Sequence, residues 1–273
     1  MSNVNRRVLP GFSLTLGYSM VYLSVMVLIP IVACIVRGVS IGWDEFASTV
    51  WSERARSAYA VTFGTSFVAA FINVFLGLLI AWVLVRYQFP FKRFFDSLID
   101  VPLALPTAVA GLVYSTLYVE TGWLGQYLVP LGIQAVYSRL GIVLVLTFIG
   151  LPFIVRTVQP VLESLEADAE EAAGCLGATR WQTFRHVILP TLFPVLLTGF
   201  SLGFARGLGE YGSVVFVSSN IPNDTEIAAV LVVARLEEFA YGEATAIALV
   251  LLAFSFSMLI VINTMERWSR RHV

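Results

Sequence analysis

Long runs of residues without a charge are the feature that most constrains what this chain can fold into. Residues 8–36 and 57–85 contain no Asp, Glu, Lys or Arg, and each run exceeds the roughly 20 apolar residues that a helix needs to cross a bilayer. Across the chain only 13% of the residues are charged, about half the share that is usual in soluble domains. These observations argue against a soluble fold and predict a protein that crosses the membrane several times.

Charged residues divide the chain into six predicted spans, which form one transmembrane domain over residues 1–273. The spans lie within residues 8–36, 57–85, 101–119, 139–156, 187–205 and 244–265. Pro102 and Pro106 interrupt the third span and predict a kink there, because proline removes a backbone hydrogen bond. The apolar run at 227–234 is too short to cross and predicts a re-entrant or interfacial helix.

The distribution of basic residues sets the expected orientation. Six spans place both termini on one side of the membrane, and that side carries 11 of the 17 basic residues. Since cytoplasmic segments are enriched in Lys and Arg, both termini are expected to be cytoplasmic. The net charge of −1 leaves no basic stripe for nucleic acid. The two cysteines and two histidines have no metal-ligand spacing, so no metal site is expected.

An acidic, Ala- and Gly-rich segment lies between two apolar spans on the side expected to be cytoplasmic. Apolar residues recur at three- and four-residue steps over residues 161–177, which predicts an amphipathic helix too short and too charged to cross the membrane. Gly174 and Gly177 would permit a sharp turn at its end. Leu189-Pro190 would then begin the fifth span, where proline is tolerated in the first helical turn. The residues alone also fit a solvated helix on the membrane surface.

Two further patterns lie at the end of the fifth predicted span. Gly199, Gly203 and Gly207 are four residues apart, and such a row of small residues lets two helices pack closely. Contact with a second subunit is the favoured interpretation, and packing within this chain is the alternative. Arg206 and Glu210 are also four residues apart. They fit either a local ion pair that fixes the helix end or a gate or path for an anion.

Several functional classes lack support in the sequence. The only lysine, Lys92, follows Phe91 rather than glycine, so the chain has no phosphate-binding G-x-x-x-x-G-K-[ST] loop. No motif for a catalytic nucleophile or a zinc hydrolase is present, and the chain is not expected to be an enzyme or to hold a cofactor. A transporter driven by an ion gradient is an alternative, but it would need acidic residues within the spans, and the six predicted spans contain none.

The acidic segment resembles a known motif. Glu171-Ala172-Ala173, Gly177, Val187 and Leu189-Pro190 match in type and spacing the EAA motif of ATP-binding-cassette (ABC) importer permeases, with Val187 where isoleucine is usual. The resemblance implies an all-α membrane protein, a type I importer permease with six transmembrane helices. It also implies that residues of about 161–177 form a cytoplasmic coupling helix, which docks on a separate ATPase chain.

The resemblance extends over nearly the whole chain. "DVPLALPTAVAGL" at 100–112 and "RGLGEYGSVVF" at 206–216 look like the T-type (also called U-type) permease subunits of sulfate/thiosulfate importers. Molybdate permeases are the second candidate. The resemblance implies a bacterial inner-membrane location and four kinds of partner besides lipid: a second related permease subunit, two ATPase subunits that bind ATP, and a periplasmic sulfate/thiosulfate-binding protein.

Overall fold

The computed structural model describes residues 12–165 and 167–269, and within these ranges the regular structure is helical and contains no strand. Five helices of this part are long and apolar enough to cross a membrane. We label them α1 (Leu14–Val39), α3 (Glu53–Arg86), α8 (Arg139–Ser164), α10 (Arg180–Leu208) and α13 (Tyr241–Ser269). The shorter helices are α2 (Trp43–Val50), α4 (Lys92–Ile99), α5 (Val101–Ala104), α6 (Thr107–Tyr118), α7 (Gly125–Leu128), α9 (Ala167–Cys175), α11 (Val214–Val217) and α12 (Ala228–Glu237).

The third predicted span is broken rather than kinked. The sequence predicted one helix within 101–119, whereas α5 ends at Ala104 and α6 begins at Thr107. Leu105 between them is extended, with ψ of 134°, because a residue that precedes proline disfavours the helical region. The six-span prediction is therefore approximate: the described residues contain five long apolar helices and this shorter one.

The core of the fold lies where α3, α8 and α10 pack together. Ile154, Val155 and Val158 of α8 are fully buried, and Leu192 of α10 and Ala81 of α3 pack into the same cluster. Each side chain of this kind that leaves water contributes about 1.5–3 kcal/mol. The packing of α3, α8 and α10 therefore fixes the relative positions of their ends, where the candidate site lies.

The first long helix lies outside this core. No residue in the most hydropathic part of α1 is buried in the chain, and α1 approaches α13 at the buried Gly38. A Cβ atom there would lie 2.2 Å from the terminal methyl group of Leu249 on α13, so any larger residue would require that side chain to move. The apolar exterior of α1 fits a surrounding of lipid or of another membrane chain.

The start of the fifth span differs from the prediction. Leu189-Pro190 does not begin the helix, since α10 already begins at Arg180. A π-helical turn over Phe184–Ile188 directly precedes the Leu-Pro pair. Because Pro190 has no N–H to donate, a local change to wider hydrogen bonding allows the helix to continue through it. α1 has the same arrangement, with a π-helical turn over Ser24–Leu28 before Ile29-Pro30.

The helix α12 corresponds to the apolar run predicted at 227–234. Its first turn is fixed by α3, because the hydroxyl of Thr62 accepts a hydrogen bond of 2.8 Å from the N–H of Ala228. Arg54 of α3 donates two bonds of 2.8 Å to the buried carboxylate of Glu226, just before α12. These contacts hold the segment between α10 and α13 on the end of α3 opposite to Arg86.

Candidate coupling site and charged helix ends

The predicted helix over residues 161–177 is two helices. Residues 161–164 complete α8, and α9 follows as a separate helix. Leu165 between them is extended, with ψ of 110°. The physical difference lies in burial: Leu162 is 1% exposed in the bundle core, whereas Ala172 on α9 is exposed. The apolar periodicity runs through the break without interruption, so the sequence does not reveal it.

A hydrogen-bonded turn at Gly177 ends α9. The N–H of Ala178 donates to the carbonyl of Ala173 at 3.0 Å, and the N–H of Gly177 donates to the carbonyl of Gly174 at 2.9 Å. This pair of bonds is a Schellman motif, which needs a left-handed residue at the position of Gly177. Gly177 has φ of +82°. The carbonyl of Ala173 and the left-handed Gly177 belong to the same motif, which is a structural reason for their spacing.

The next helix, α10, begins at Arg180, and Thr179 is its N-cap residue. The hydroxyl of Thr179 accepts from the N–H of Gln182 at 3.3 Å, and the N–H of Thr179 donates to the Gln182 side chain at 2.8 Å. This capping box satisfies two N–H groups that the first turn of α10 would otherwise leave free. Only Ala178 therefore separates the end turn of α9 from the cap of α10.

An ion pair attaches α9 to the end of α3, and an aromatic cluster attaches the start of α10 to the same end. The guanidinium of Arg86, the last residue of α3, donates to the carboxylate of Glu170 on α9. Arg86 also lies over the ring of Trp82, 5.5 Å from its centroid. Trp82 contacts Phe184 of α10 at 5.8 Å between ring centroids, and Phe184 stacks on Trp181 at 5.6 Å. A pairing role for Arg86 was not foreseen, because its partner is 84 residues away in sequence.

The opposite side of α9 has no cover within the described residues. Glu171, Ala172 and Gly174 are exposed, and Leu176 is 90% exposed. A short helix of small residues with an acidic edge and an apolar tip can enter a groove on another protein. Glu171 and Ala172 are therefore accessible to a partner, while Glu170 holds the helix to the bundle.

A second charged cluster joins α8 to the loop helices on the same side. Arg156 of α8 donates to the carboxylate of Asp100 at 2.6 and 2.8 Å and to that of Asp96 at 2.7 Å. The hydrogen bonds from Arg156 hold the pKa of Asp100 below its usual value. Sequence reasoning assigned no role to Arg156. The available signal was a single basic residue that follows an uncharged run and needs a partner near the membrane.

The structure brings Arg206 and Glu210 together at the end of α10. A guanidinium nitrogen of Arg206 lies 2.5 Å from the carboxylate of Glu210, whose side chain is 2% exposed. The N–H and the hydroxyl of Ser213 each donate to the same carboxylate at 2.9 Å. A buried carboxylate needs such partners, because an unpaired charge there is costly. The arrangement has the geometry of the predicted local ion pair.

The glycine row of α10 packs inside this chain, contrary to the favoured interpretation of contact with a second subunit. A Cβ atom at Gly199 would lie 3.1 Å from Ile154 of α8, and one at Gly207 would lie 3.1 Å from Ser66 of α3. Gly203 faces the backbone of Gly150 on α8. All three glycines are buried. The small residues let α10 approach α8 and α3 closely, which the sequence could not assign because both partners are distant in sequence.

The fold and the exposed helix under the bundle define the class of a membrane-embedded transport permease. The chain belongs to the family of binding-protein-dependent transport system inner membrane components, which it matches over residues 73–273. It is 51% identical to the sulfate transport system permease protein CysT of Synechocystis, over 93% of this chain and 89% of that protein. It is 45% identical to the protein of the same name from Escherichia coli K12, over 98% of both chains.

Solved transporters share the fold. A bacterial ABC transporter involved in the import of the acidic polysaccharide alginate superposes with a TM-score of 0.77, covers 94% of each chain and is 16% identical. The MetNI methionine ABC transporter superposes with a TM-score of 0.58 over 77% of this chain and 93% of the other, at 17% identity. The prediction of the all-α fold of ABC importer permeases is confirmed.

Proposed function

We propose that this chain is a membrane-spanning subunit of an ATP-driven importer that carries sulfate, and thiosulfate, into the cell. Two relatives at 45% and 51% identity are named sulfate permeases, and they cover almost the whole chain. The observation that carries the coupling part of the proposal is α9. It presents Glu171 and Ala172 to the outside, while Glu170 pairs with Arg86 of α3.

The proposed mechanism uses α9 as the element that receives motion from the ATPase. A displacement of α9 acts on α3 through the ion pair of Glu170 with Arg86. It acts on α10 through the turn at Gly177 and the cap at Thr179. Since α3 and α10 both pack on α8 in the core, the displacement changes how these three helices fit together. Rigid helices that slide or tilt against one another are an established means of opening a membrane path.

The partners follow from the same proposal. ATP would bind to two ATPase subunits, a second related permease would complete the membrane path, and a periplasmic binding protein would deliver the anion. The orientation would be multi-pass in the bacterial inner membrane with both termini cytoplasmic, which places α9 and Arg86 on the ATPase side. The exposed face of α9 and the basic excess on that side support this arrangement.

The ion pair of Arg206 and Glu210 is proposed to fix the outer end of α10 rather than to bind the anion. Glu210 is almost fully buried and accepts from Ser213 as well as from Arg206. Because the carboxylate of Glu210 compensates the charge of Arg206, Arg206 attracts a passing dianion less strongly. A path that must release its anion also gains little from a strong site.

Uptake of radiolabelled sulfate by cells that express the chain with its partners tests the proposal. Excess thiosulfate is expected to compete and excess molybdate is not. If only molybdate competes, the substrate is molybdate rather than sulfate. If uptake continues when the ATPase is inactive, transport is not driven by ATP hydrolysis.

A charge exchange tests the coupling role directly. Arg86→Glu should reduce uptake strongly, because two carboxylates would then oppose each other between α3 and α9. The double variant with Glu170→Arg should recover part of the uptake. Arg56→Glu is the matched control, since Arg56 is exposed at the opposite end of the same helix, and exposed charges contribute little. Equal losses for the single and double variants would contradict the role of this pair.

A further inference from the structure

An apolar groove lies on the bundle surface between α3, the helix pair α4–α5 and α8. It has a volume of about 640 Å³ and is lined almost entirely by apolar atoms. Leu79 and Val83 of α3, Leu98 of α4 and Leu151 of α8 form its walls. Leu79 is 60% exposed and Leu98 is 49% exposed. The groove is thus an apolar slot in which a hydrocarbon chain can lie.

A polar cavity of about 300 Å³ lies next to this groove. The side chain of Leu84 lines both spaces. The cavity contains two basic and two acidic residues, together with two glutamines; its charged residues are Lys92, Arg93, Asp96 and Glu163. Both signs of charge therefore face one small space beside an apolar groove.

On α8 the two spaces follow each other along the helix axis, since the lining passes from Leu151 in the groove to Gln159 in the cavity. On the other wall they lie side by side, because Leu84 lines both spaces. Eight residues of helix correspond to about 12 Å, which is close to the half-thickness of a bilayer core of about 30 Å. The polar cavity lies at the end of α3 that carries Arg86 and α9. Depth and polarity therefore change together, as they do along a lipid molecule.

The charges of the cavity are incompletely satisfied. Among the described residues no ion pair involves Lys92 or Arg93, although Asp96 lies in the same cavity and is held by Arg156. Glu163 accepts one long hydrogen bond of 3.4 Å from Gln159. Two cations without a carboxylate partner suit a phosphate, and a nearby carboxylate with spare acceptor capacity suits an ammonium group.

We propose that this groove and cavity form a binding site for a phospholipid whose headgroup carries both a phosphate and a primary ammonium group. The phosphate lies against Lys92 and Arg93, the ammonium faces Glu163, and an acyl chain fills the groove beside Leu98. Two cations without a carboxylate partner, beside a Glu163 carboxylate with spare acceptor capacity, favour a zwitterionic headgroup over a purely anionic one. The inference does not depend on which ion the chain transports.

Native mass spectrometry of the full chain with its partner subunits tests this site. The complex is stripped of lipid and titrated separately with phosphatidylethanolamine, phosphatidylcholine and phosphatidylglycerol. Phosphatidylethanolamine should bind most tightly, because the methylated amine of phosphatidylcholine cannot donate hydrogen bonds. Lys92→Gln with Arg93→Gln should weaken all three lipids about thirtyfold, from about 1 kcal/mol for each basic residue. Glu163→Gln should weaken phosphatidylethanolamine alone, about fivefold.

Matched variants separate the site from general lipid contact. Arg180→Gln with Arg185→Gln removes the same charge from exposed positions on the α9 side and should leave the titrations unchanged. Leu98→Trp should fill the groove and lower binding, whereas Leu202→Trp, on an exposed position of α10, should not. Equal affinity for phosphatidylethanolamine and phosphatidylcholine overturns the proposal. A disulfide between the Leu98→Cys variant and a cysteine in the second permease would also overturn the proposal, because it would show that a protein helix occupies the groove.

Discussion

Replacement of Gly177 by valine should uncouple the membrane helices from the ATPase while the chain still folds and inserts. Gly177 has φ of +82° and supplies one N–H of the turn that ends α9. A Cβ atom at this position would have no neighbour within 4 Å in the chain. The effect of the substitution within this chain therefore comes from the backbone conformation alone, and not from a clash.

The magnitude can be worked out from two alternatives. If the left-handed conformation persists, an L-residue raises its free energy by about 1–2 kcal/mol, and a β-branched residue by more. If the turn opens instead, the two hydrogen bonds at 2.9 and 3.0 Å are lost, at about 1 kcal/mol each. Either way α9 reaches its docked geometry at a cost of about 2 kcal/mol, which weakens docking about thirtyfold.

Copurification with the ATPase, sulfate uptake and ATP hydrolysis by the same preparation measure this effect. Gly177→Asn should retain more activity than Gly177→Val, because asparagine tolerates the left-handed region. Gly64→Ala is the matched control: it lies within the helix α3, away from α9, a Cβ atom there meets nothing within 4 Å, and alanine favours a helix by about 1 kcal/mol over glycine. Normal ATPase binding and normal uptake by Gly177→Val would refute the reasoning.

Three other outcomes are expected. Arg206→Ala and Glu210→Ala should each reduce assembly or uptake, and the double variant should recover part of the loss; strict additivity at equal protein levels would show that the two residues act independently. Cysteines at Ser164 and Thr179, in a chain without the native cysteines, should resist an impermeant thiol reagent in intact cells and react after lysis, and labelling of both in intact cells would invert the orientation. Gly199→Leu should lower the yield of folded chain even without the second permease, because overpacking destabilises the fold by about 1–3 kcal/mol. A normal yield with failed assembly would instead support contact of the glycine row with a second subunit.

The fold class could be predicted because the membrane restricts the possible structures. A run without charges that exceeds 20 residues has few alternatives to a helix in lipid, so α1 and α3 follow directly from the sequence. Breaks within apolar segments are harder to locate. Pro106 ends a helix at Ala104, whereas Pro190 does not end α10. A π-helical turn precedes Pro190, yet α8 continues through Pro152 and Pro160 without one, so the presence of proline alone does not locate a break.

The candidate site was predicted in part. Gly174 and Gly177 predicted a sharp turn at the end of the helix, and the turn lies at Gly177, because a left-handed glycine is a local requirement. The contacts of Glu170 and Arg156 were not predictable, since Arg86 and Asp100 are brought near them only by the packing of α3 and α8. Long-range ion pairs depend on the tertiary arrangement, and a single sequence contains no periodic signal for them.

The single-residue connection between α9 and α10 has a mechanical consequence. A flexible loop would bend when one helix moves, so it would not transmit a small displacement to the next helix. Here hydrogen bonds lock Gly177 on one side and Thr179 on the other, and Ala178 alone lies between them. Few backbone torsions are free in this connection, so we expect a rotation of α9 to tilt α10. Insertion of a single glycine after Ala178 would loosen the joint without removing any contact of the motif itself.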